Sequence, residues 1–200
     1  MEENGLKDTV LGLYHLKKWR EILKLNENSS DNGALKLLWV WPDEKNLFFI
    51  KRIVNDLACE GISSIGCGCG LLEWIINEAT GLPVLGYEVN QEWWESKYSN
   101  PKFIKLNYVL NINEECLDSK YAILFCYFND RDAFQKYIKN YRGNVVFIIG
   151  PGKENWKHTD PKPFSPDFGG CEWDLYSYQE VKNTGDYIAV YVRHNNYLNI

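Results

Sequence analysis

Two hundred residues, 45% of them hydrophobic, suffice for one domain with a sizeable core, whereas two domains would leave each half too small to bury one. A net charge of -5 and a pI near 5.3 exclude a global attraction to phosphate backbones or anionic membranes and leave only a local basic patch open to such partners. No apolar run approaches the roughly 18 residues that span a bilayer, and the acidic start carries no signal-peptide pattern, so a soluble, intracellular, cytoplasmic protein is expected, with the nucleus also open.

The chain opens on a helical pattern, Thr9 to Leu25, with Val10, Leu13, Leu16, Arg20 and Leu23 near one face. Its basic cluster, Lys17, Lys18, Arg20 and Lys24, is read as a solvated face. A polar loop, Asn26 to Gly33, closes this stretch, and residues 1–43 read as an N-terminal extension of a single domain whose core is 44–200. Leu35 to Trp41 is a strand or a buried segment; Pro42 and Asp43 then open a helix from Glu44 to Cys59. Trp39, Trp41 and Pro42 either line a cleft or fill the core.

Ile62 to Ile65 is a short apolar strand that ends in the glycine-dense turn GCGCG, and Leu71 to Thr80 carries helical spacing through Leu72, Ile75, Ile76 and Ala79. Gly81 and Pro83 stop that helix, and Val84 to Val89 returns as a strand bearing Glu88 at its tip. Strand, helix and strand make one βαβ unit of about 30 residues. Glycine at Gly66, Gly68 and Gly70 lets the backbone turn sharply and admit a ligand, which then meets the helix N-terminus. An acid about 20 residues beyond such a turn is placed to accept two ribose hydroxyls, so the expected ligand contains a nucleoside. A dinucleotide fingerprint counted from Gly66 needs a small residue at position 71, and Leu71 is large.

The G-x-G-x-G spacing resembles the glycine-rich motif of class I S-adenosylmethionine-dependent methyltransferases. The resemblance implies an α/β fold with a doubly wound, mostly parallel sheet and a C-terminal antiparallel hairpin, and S-adenosylmethionine as cofactor. It would make Gly66, Cys67, Gly68 and Gly70 the loop around the cofactor, with Glu88 the ribose acceptor. The family usually carries an acid two residues before the first glycine, where this chain has Ser64, which brings a hydrogen bond but no charge.

Beyond Glu88, Val89 and the helix bearing Trp93 and Trp94 would stack on adenine. Lys102 to Val109 alternates as a third strand, and by the resemblance Asn107 or Tyr108 at its exit would meet the adenine amino group. Tyr121 to Phe128 is the most continuous apolar run, as a central parallel strand requires, and its exit would present Tyr127, Asn129 and Asp130 to the methyl group. No Asn/Asp-Pro-Pro-aromatic or Pro-Cys signature is present, and Cys126 reads as a buried strand cysteine before it reads as a nucleophile. Asp132 to Tyr141 is a helix and Asn144 to Ile149 a fifth strand. The Pro-rich stretch Lys153 to Gly170 is a long loop of the functional kind, offering Trp156, His158 and Asp160 to a substrate. Trp173 to Val181 and Tyr187 to Arg193 form a hairpin, so the resemblance spans Glu44 to His194.

The six cysteines, Cys59, Cys67, Cys69, Cys116, Cys126 and Cys171, offer one C-x-C and no completing histidine, so free thiols and no metal are expected. The chain therefore reads as a methyltransferase of unidentified acceptor, a small molecule, a protein or RNA. A methyltransferase-fold binding or regulatory module stands as the rival, and a nicotinamide-dependent oxidoreductase as a third reading that Leu71 opposes.

Overall fold

The computed structural model describes residues 3–25, 37–112, 117–153, 157–170 and 173–193, so the polar loop at 26–33, Trp156, Cys116 and Cys171 lie outside the described residues. Seven strands form one sheet: β1 (Gly61–Ile65), β2 (Val84–Glu88), β3 (Leu106–Tyr108), β4 (Tyr121–Cys126), β5 (Val145–Pro151), β6 (Trp173–Val181) and β7 (Asp186–Arg193). Their order is β3-β2-β1-β4-β5-β7-β6. The first five are mutually parallel, and the β6–β7 hairpin joins through β7, antiparallel to β5. The expected doubly wound sheet with a terminal hairpin is what forms. The chain reverses its direction of winding between β1 and β4, and in such sheets ligands settle beyond the carboxyl ends at that place.

Alternation within the central strands divides the core. Ile62 and Leu124 face one layer with α3 (Glu44–Asp56) and α4 (Leu71–Thr80), while Ile65, Ile123 and Phe125 face the other with α6 (Arg131–Asn140). The N-terminal residues belong to the first layer: Val10, Trp19 and Ile22 share its core, and Tyr14 donates to the Phe103 carbonyl at 3.1 Å while meeting Trp74 edge-on.

Several boundaries move, each for a local reason. The first helix is two, α1 (Glu3–His15) and α2 (Trp19–Lys24). Lys17 turns left-handed (φ 55), and the Lys17 and Lys18 amides close back on Tyr14 and Leu13, a Schellman stop built on lysine instead of glycine. The same device at Ala58 (φ 53) ends α3 at Asp56 and leaves Cys59 outside it. The basic cluster lies on the surface, with Lys17 on Glu78 and Arg20 forked onto Glu44. The third strand shrinks to Leu106–Tyr108 because the preceding residues fold over the glycine turn, where the Phe103 amide donates to the Cys69 carbonyl. β4 stops at Cys126 because Tyr127 takes a positive φ of 50. Leu37 to Trp41 forms no strand.

Asn46 ties helix to sheet. Its side chain closes a capping box with Asp43 and donates to the Gln179 side chain and the Glu180 carbonyl of β6, at 2% exposure. Asn46→Ala strands these partners, and we expect it to lower stability by about 2–3 kcal/mol in urea unfolding. A loss under about 0.5 kcal/mol would place the tie elsewhere.

Candidate functional site

The glycine turn is built as the spacing required. Gly66, Gly68 and Gly70 all hold positive φ, at 67, 62 and 77. Gly70 also has no room for a side chain, since an added Cβ would come 2.3 Å from Ile104 Cγ1. Gly68 is the opposite case: nothing lies within 4 Å of where its Cβ would be. Open space stands over its backbone, and it is the wall of a hollow of about 260 Å³ that Leu38, Trp39, Cys67, Glu73, Trp94 and Tyr127 also line.

Glu88 is not itself among the residues that line the hollow, but it holds the Gly68 wall. One carboxylate oxygen accepts the Gly68 amide at 2.6 Å and the other its neighbour Val89 at 3.1 Å. Burial raises its pKa, and the hydrogen bonds from Gly68, Val89 and the Trp94 side chain work against that rise. Val89 in turn lines a second, wider hollow of about 820 Å³ with Asn90, Val109, Leu110 and Ile112. Glu88 thus links, through the amides of Gly68 and Val89, the wall of a narrow chamber at the glycine turn to that of a wide groove past β2 and β3, though it lines neither.

The sequence reading missed Glu73. It projects from the first turn of α4 with only 1% exposure, and Ser64 donates to one of its oxygens at 2.7 Å. The other oxygen, Oε2, is buried with no hydrogen-bond partner. Burial pushes this carboxyl up to about 7, with the Ser64 bond opposing and the Glu88 charge adding to the rise. A lone acid in the otherwise apolar run Leu71-Leu72-Glu73-Trp74-Ile75-Ile76 was the available signal. Ser64 therefore serves as the orienter of an acid carried by the next element.

The remaining residues fall in distinct places. Trp39, 58% exposed, stacks on Tyr127 with centroids 5.8 Å apart, whereas Trp41 and Pro42 are buried away from the hollow. Tyr127 donates to Asp186 Oδ1 at 2.6 Å, and burial first, then this acceptor, raises its phenol. Asp130 caps α6 through the Ala133 amide, and Asn129 bridges to Asp160. His158 is exposed on a separate hollow past β5. Asn107 donates its amide to the Gly86 carbonyl, and neither it nor Tyr108 lines either hollow beside Glu88. Burial pushes the Cys69 thiol up to about 12 and raises Cys67 and Cys126 as well, so none is a thiolate near neutral pH. Leu71, 1% exposed, packs where a dinucleotide turn needs a small residue. Among the described residues no group of three or more His, Cys, Asp or Glu is placed to hold a metal, and no helix is long and apolar enough to cross a membrane.

The donor set fits a ligand with a cationic end and a diol. A buried carboxylate oxygen without a partner asks for a donor, Gly68 gives backbone approach, and Glu88 offers a carboxylate at the junction with the wide groove. No family model matches the chain, and no curated protein does. Among solved structures, human N-acetylserotonin methyltransferase in complex with S-adenosylmethionine aligns with TM-score 0.50 and 9% identity over 90% of this chain and 57% of that one. Magnesium protoporphyrin IX methyltransferase from Synechocystis, with bound S-adenosylmethionine, aligns with TM-score 0.44 and 12% identity over 75% and 79%. A S-adenosylmethionine-dependent methyltransferase from Archaeoglobus fulgidus gives 0.44 and 12% over 82% and 100%. The first likeness shows the fold, that of the class I methyltransferases.

Proposed function

We propose that the chain binds S-adenosylmethionine across Glu88 and transfers its methyl group to an acceptor beyond the carboxyl ends of β4 and β5. The observation that carries this reading is the buried, unpartnered oxygen of Glu73, a residue that lines the hollow over Gly68. The amino acid end of the cofactor would lie in the narrow chamber, its ammonium on Glu73 with Ser64 holding that carboxyl in place. Glu88 would take the ribose hydroxyls, and the base would lie in the wide groove against Val89 and Val109. The narrow chamber alone, about 260 Å³, is below the ~300–1,000 Å³ of sites that enclose a whole ligand, so both hollows are needed.

When bound, the cofactor supplies a methyl group already activated on a sulfonium. The chain's own part is to orient and to exclude water: Trp39 and Tyr127 wall the chamber on the acceptor side, and the Tyr127 hydroxyl is fixed by Asp186. Placement of this kind supplies several kcal/mol without any general base. Titration calorimetry with S-adenosylmethionine and its demethylated product tests the proposal, with measurable heat and a thermal upshift expected for both. No heat and no upshift at millimolar ligand would refute it.

A second reading, a binding module without transfer, is favoured by one observation. One oxygen of Asp130 is spent on its cap, so the exit of β4 presents fewer free polar groups than the sequence offered. Tight binding with no labelled methyl appearing in extract proteins, RNA or metabolites would select it.

A further inference from the structure

The segment that leads into α3 presents one ring to solvent. Leu37, Leu38, Val40 and Trp41 are buried, whereas Trp39 in their midst is 58% exposed. Buried neighbours on both sides fix the backbone that carries it, and the Cys69 thiol donates to the Leu37 carbonyl at 3.3 Å, tying the segment to the glycine turn. The ring that faces Trp39 is fixed as well. Tyr127 donates its hydroxyl to Asp186 Oδ1 at 2.6 Å and its amide to the Ile149 carbonyl at 2.8 Å, and it holds a positive φ of 50. Strain of that kind persists where the surroundings over-determine it, and it gathers at ligand clamps.

Trp39 and Tyr127 lie 19° from parallel with centroids 5.8 Å apart, and both line the hollow over Gly68. At 58% exposure Trp39 is covered only in part by Tyr127, so an aromatic surface is left beside the chamber, already oriented and with no side chain still to be ordered. The charges nearby narrow the guest. Lys157 Nζ stands 5.3 Å from the centre of the Tyr127 ring, so a cation arriving there meets one already in place. Asp186, at the Tyr127 hydroxyl, and Glu73, in the hollow, oppose an anion in the same way. What suits the surface is a flat, uncharged, conjugated ring, which gains from offset stacking beyond the area that it buries. A saturated ring of the same size buries similar area but has no π face to stack.

We propose that Trp39, backed by Tyr127, is the platform on which an uncharged aromatic or heteroaromatic ring of the methyl acceptor stacks. Calling the ring the acceptor's rests on the methyltransferase reading; the stacking of a flat ring on Trp39 does not. The test is calorimetric titration of the full chain with 2-naphthol and with its saturated counterpart, decahydro-2-naphthol. Without cofactor we expect 2-naphthol to bind about 10-fold more tightly than the saturated alcohol. Trp39→Leu, which keeps an apolar side chain but no ring, should remove that margin, and Trp39→Phe should restore part of it. Because Trp39 is exposed, neither change asks the core to repack. The control Tyr178→Leu, at a residue also 58% exposed but on β6, leaves the margin unchanged. With the demethylated product of S-adenosylmethionine at saturation, 2-naphthol should still bind, since acceptor and cofactor take different walls of the site. The inference is overturned if the two alcohols bind alike, if Trp39→Leu changes nothing, or if Tyr178→Leu weakens binding as much. It is overturned too if the demethylated product displaces 2-naphthol, which would make Trp39 a seat for the cofactor itself. A chain that binds S-adenosylmethionine yet shows no preference for the flat alcohol defeats this inference alone. One that stacks 2-naphthol on Trp39 but ignores S-adenosylmethionine defeats the cofactor reading and leaves the platform in place.

Discussion

Glu73→Leu is expected to weaken S-adenosylmethionine binding by about 100-fold or more while making the protein more resistant to unfolding at pH 8, two effects of opposite sign from one carboxyl. The stability gain follows from burial. The folded-state pKa, about 7, lies above the unfolded value near 4.5, so the folded chain holds this proton more tightly. Its contribution to stability is full below the unfolded value and is lost as pH rises through about 7, a fall of about 3 kcal/mol. Leucine escapes that fall but leaves the Ser64 hydroxyl without its acceptor, at about 1–2 kcal/mol. The variant should therefore be somewhat less stable than the parent at pH 5 and more stable at pH 8, the two curves of unfolding free energy crossing in between. Glu73→Gln, which keeps a partner for Ser64, should gain at pH 8 with little loss at pH 5 and should bind cofactor as poorly as leucine. If both variants are destabilised at every pH, Glu73 is a structural acid, and the observation carrying the proposed function is lost.

That acid marks where sequence reading stops. From Ile62 to Glu88 the chain announces itself, because strand alternation, glycine spacing and helix punctuation are local rules obeyed locally; β1, α4 and β2 lie where those rules put them. Ser64 was legible as a departure from a family pattern, but its answer nine residues later was not, since the contact depends on how the helix docks on β1. Helix ends failed for a related reason. Lys17 and Ala58 take left-handed conformations that sequence assigns to glycine, each closed by local amide-to-carbonyl bonds. Tyr127 repeats the pattern at the exit of β4, where an apolar run read as strand to Phe128 turns at a positive φ so that its ring can stack on Trp39 and its hydroxyl reach Asp186. Such strain at a non-glycine residue costs about 1–2 kcal/mol and collects where a site is being shaped.

Glu88→Ala should weaken S-adenosylmethionine binding by a comparable factor, about 100-fold, but with stability falling instead of rising. The carboxylate already accepts the Gly68 and Val89 amides, so its removal strands two donors and loosens the turn, at about 1–2 kcal/mol. Glu88→Gln, which leaves one oxygen to accept the Gly68 amide, should restore most of that stability and only a small part of the affinity, because that one neutral oxygen, already holding Gly68, cannot also accept from two hydroxyls. The parent should also lose affinity on acidification sooner than an ordinary glutamate would require, since burial raises the Glu88 pKa above 4.5 and the protonated form has one fewer acceptor to offer. In Glu88→Gln that branch of the pH profile should vanish, while the branch set by Glu73 near 7 persists. Two carboxyls at opposite ends of one ligand thus have separable signatures: Glu73 trades stability for binding, and Glu88 supports both. Calorimetry on the same four variants, across pH 5 to 8, would show one pair binding like the parent if the ligand does not reach from one carboxyl to the other.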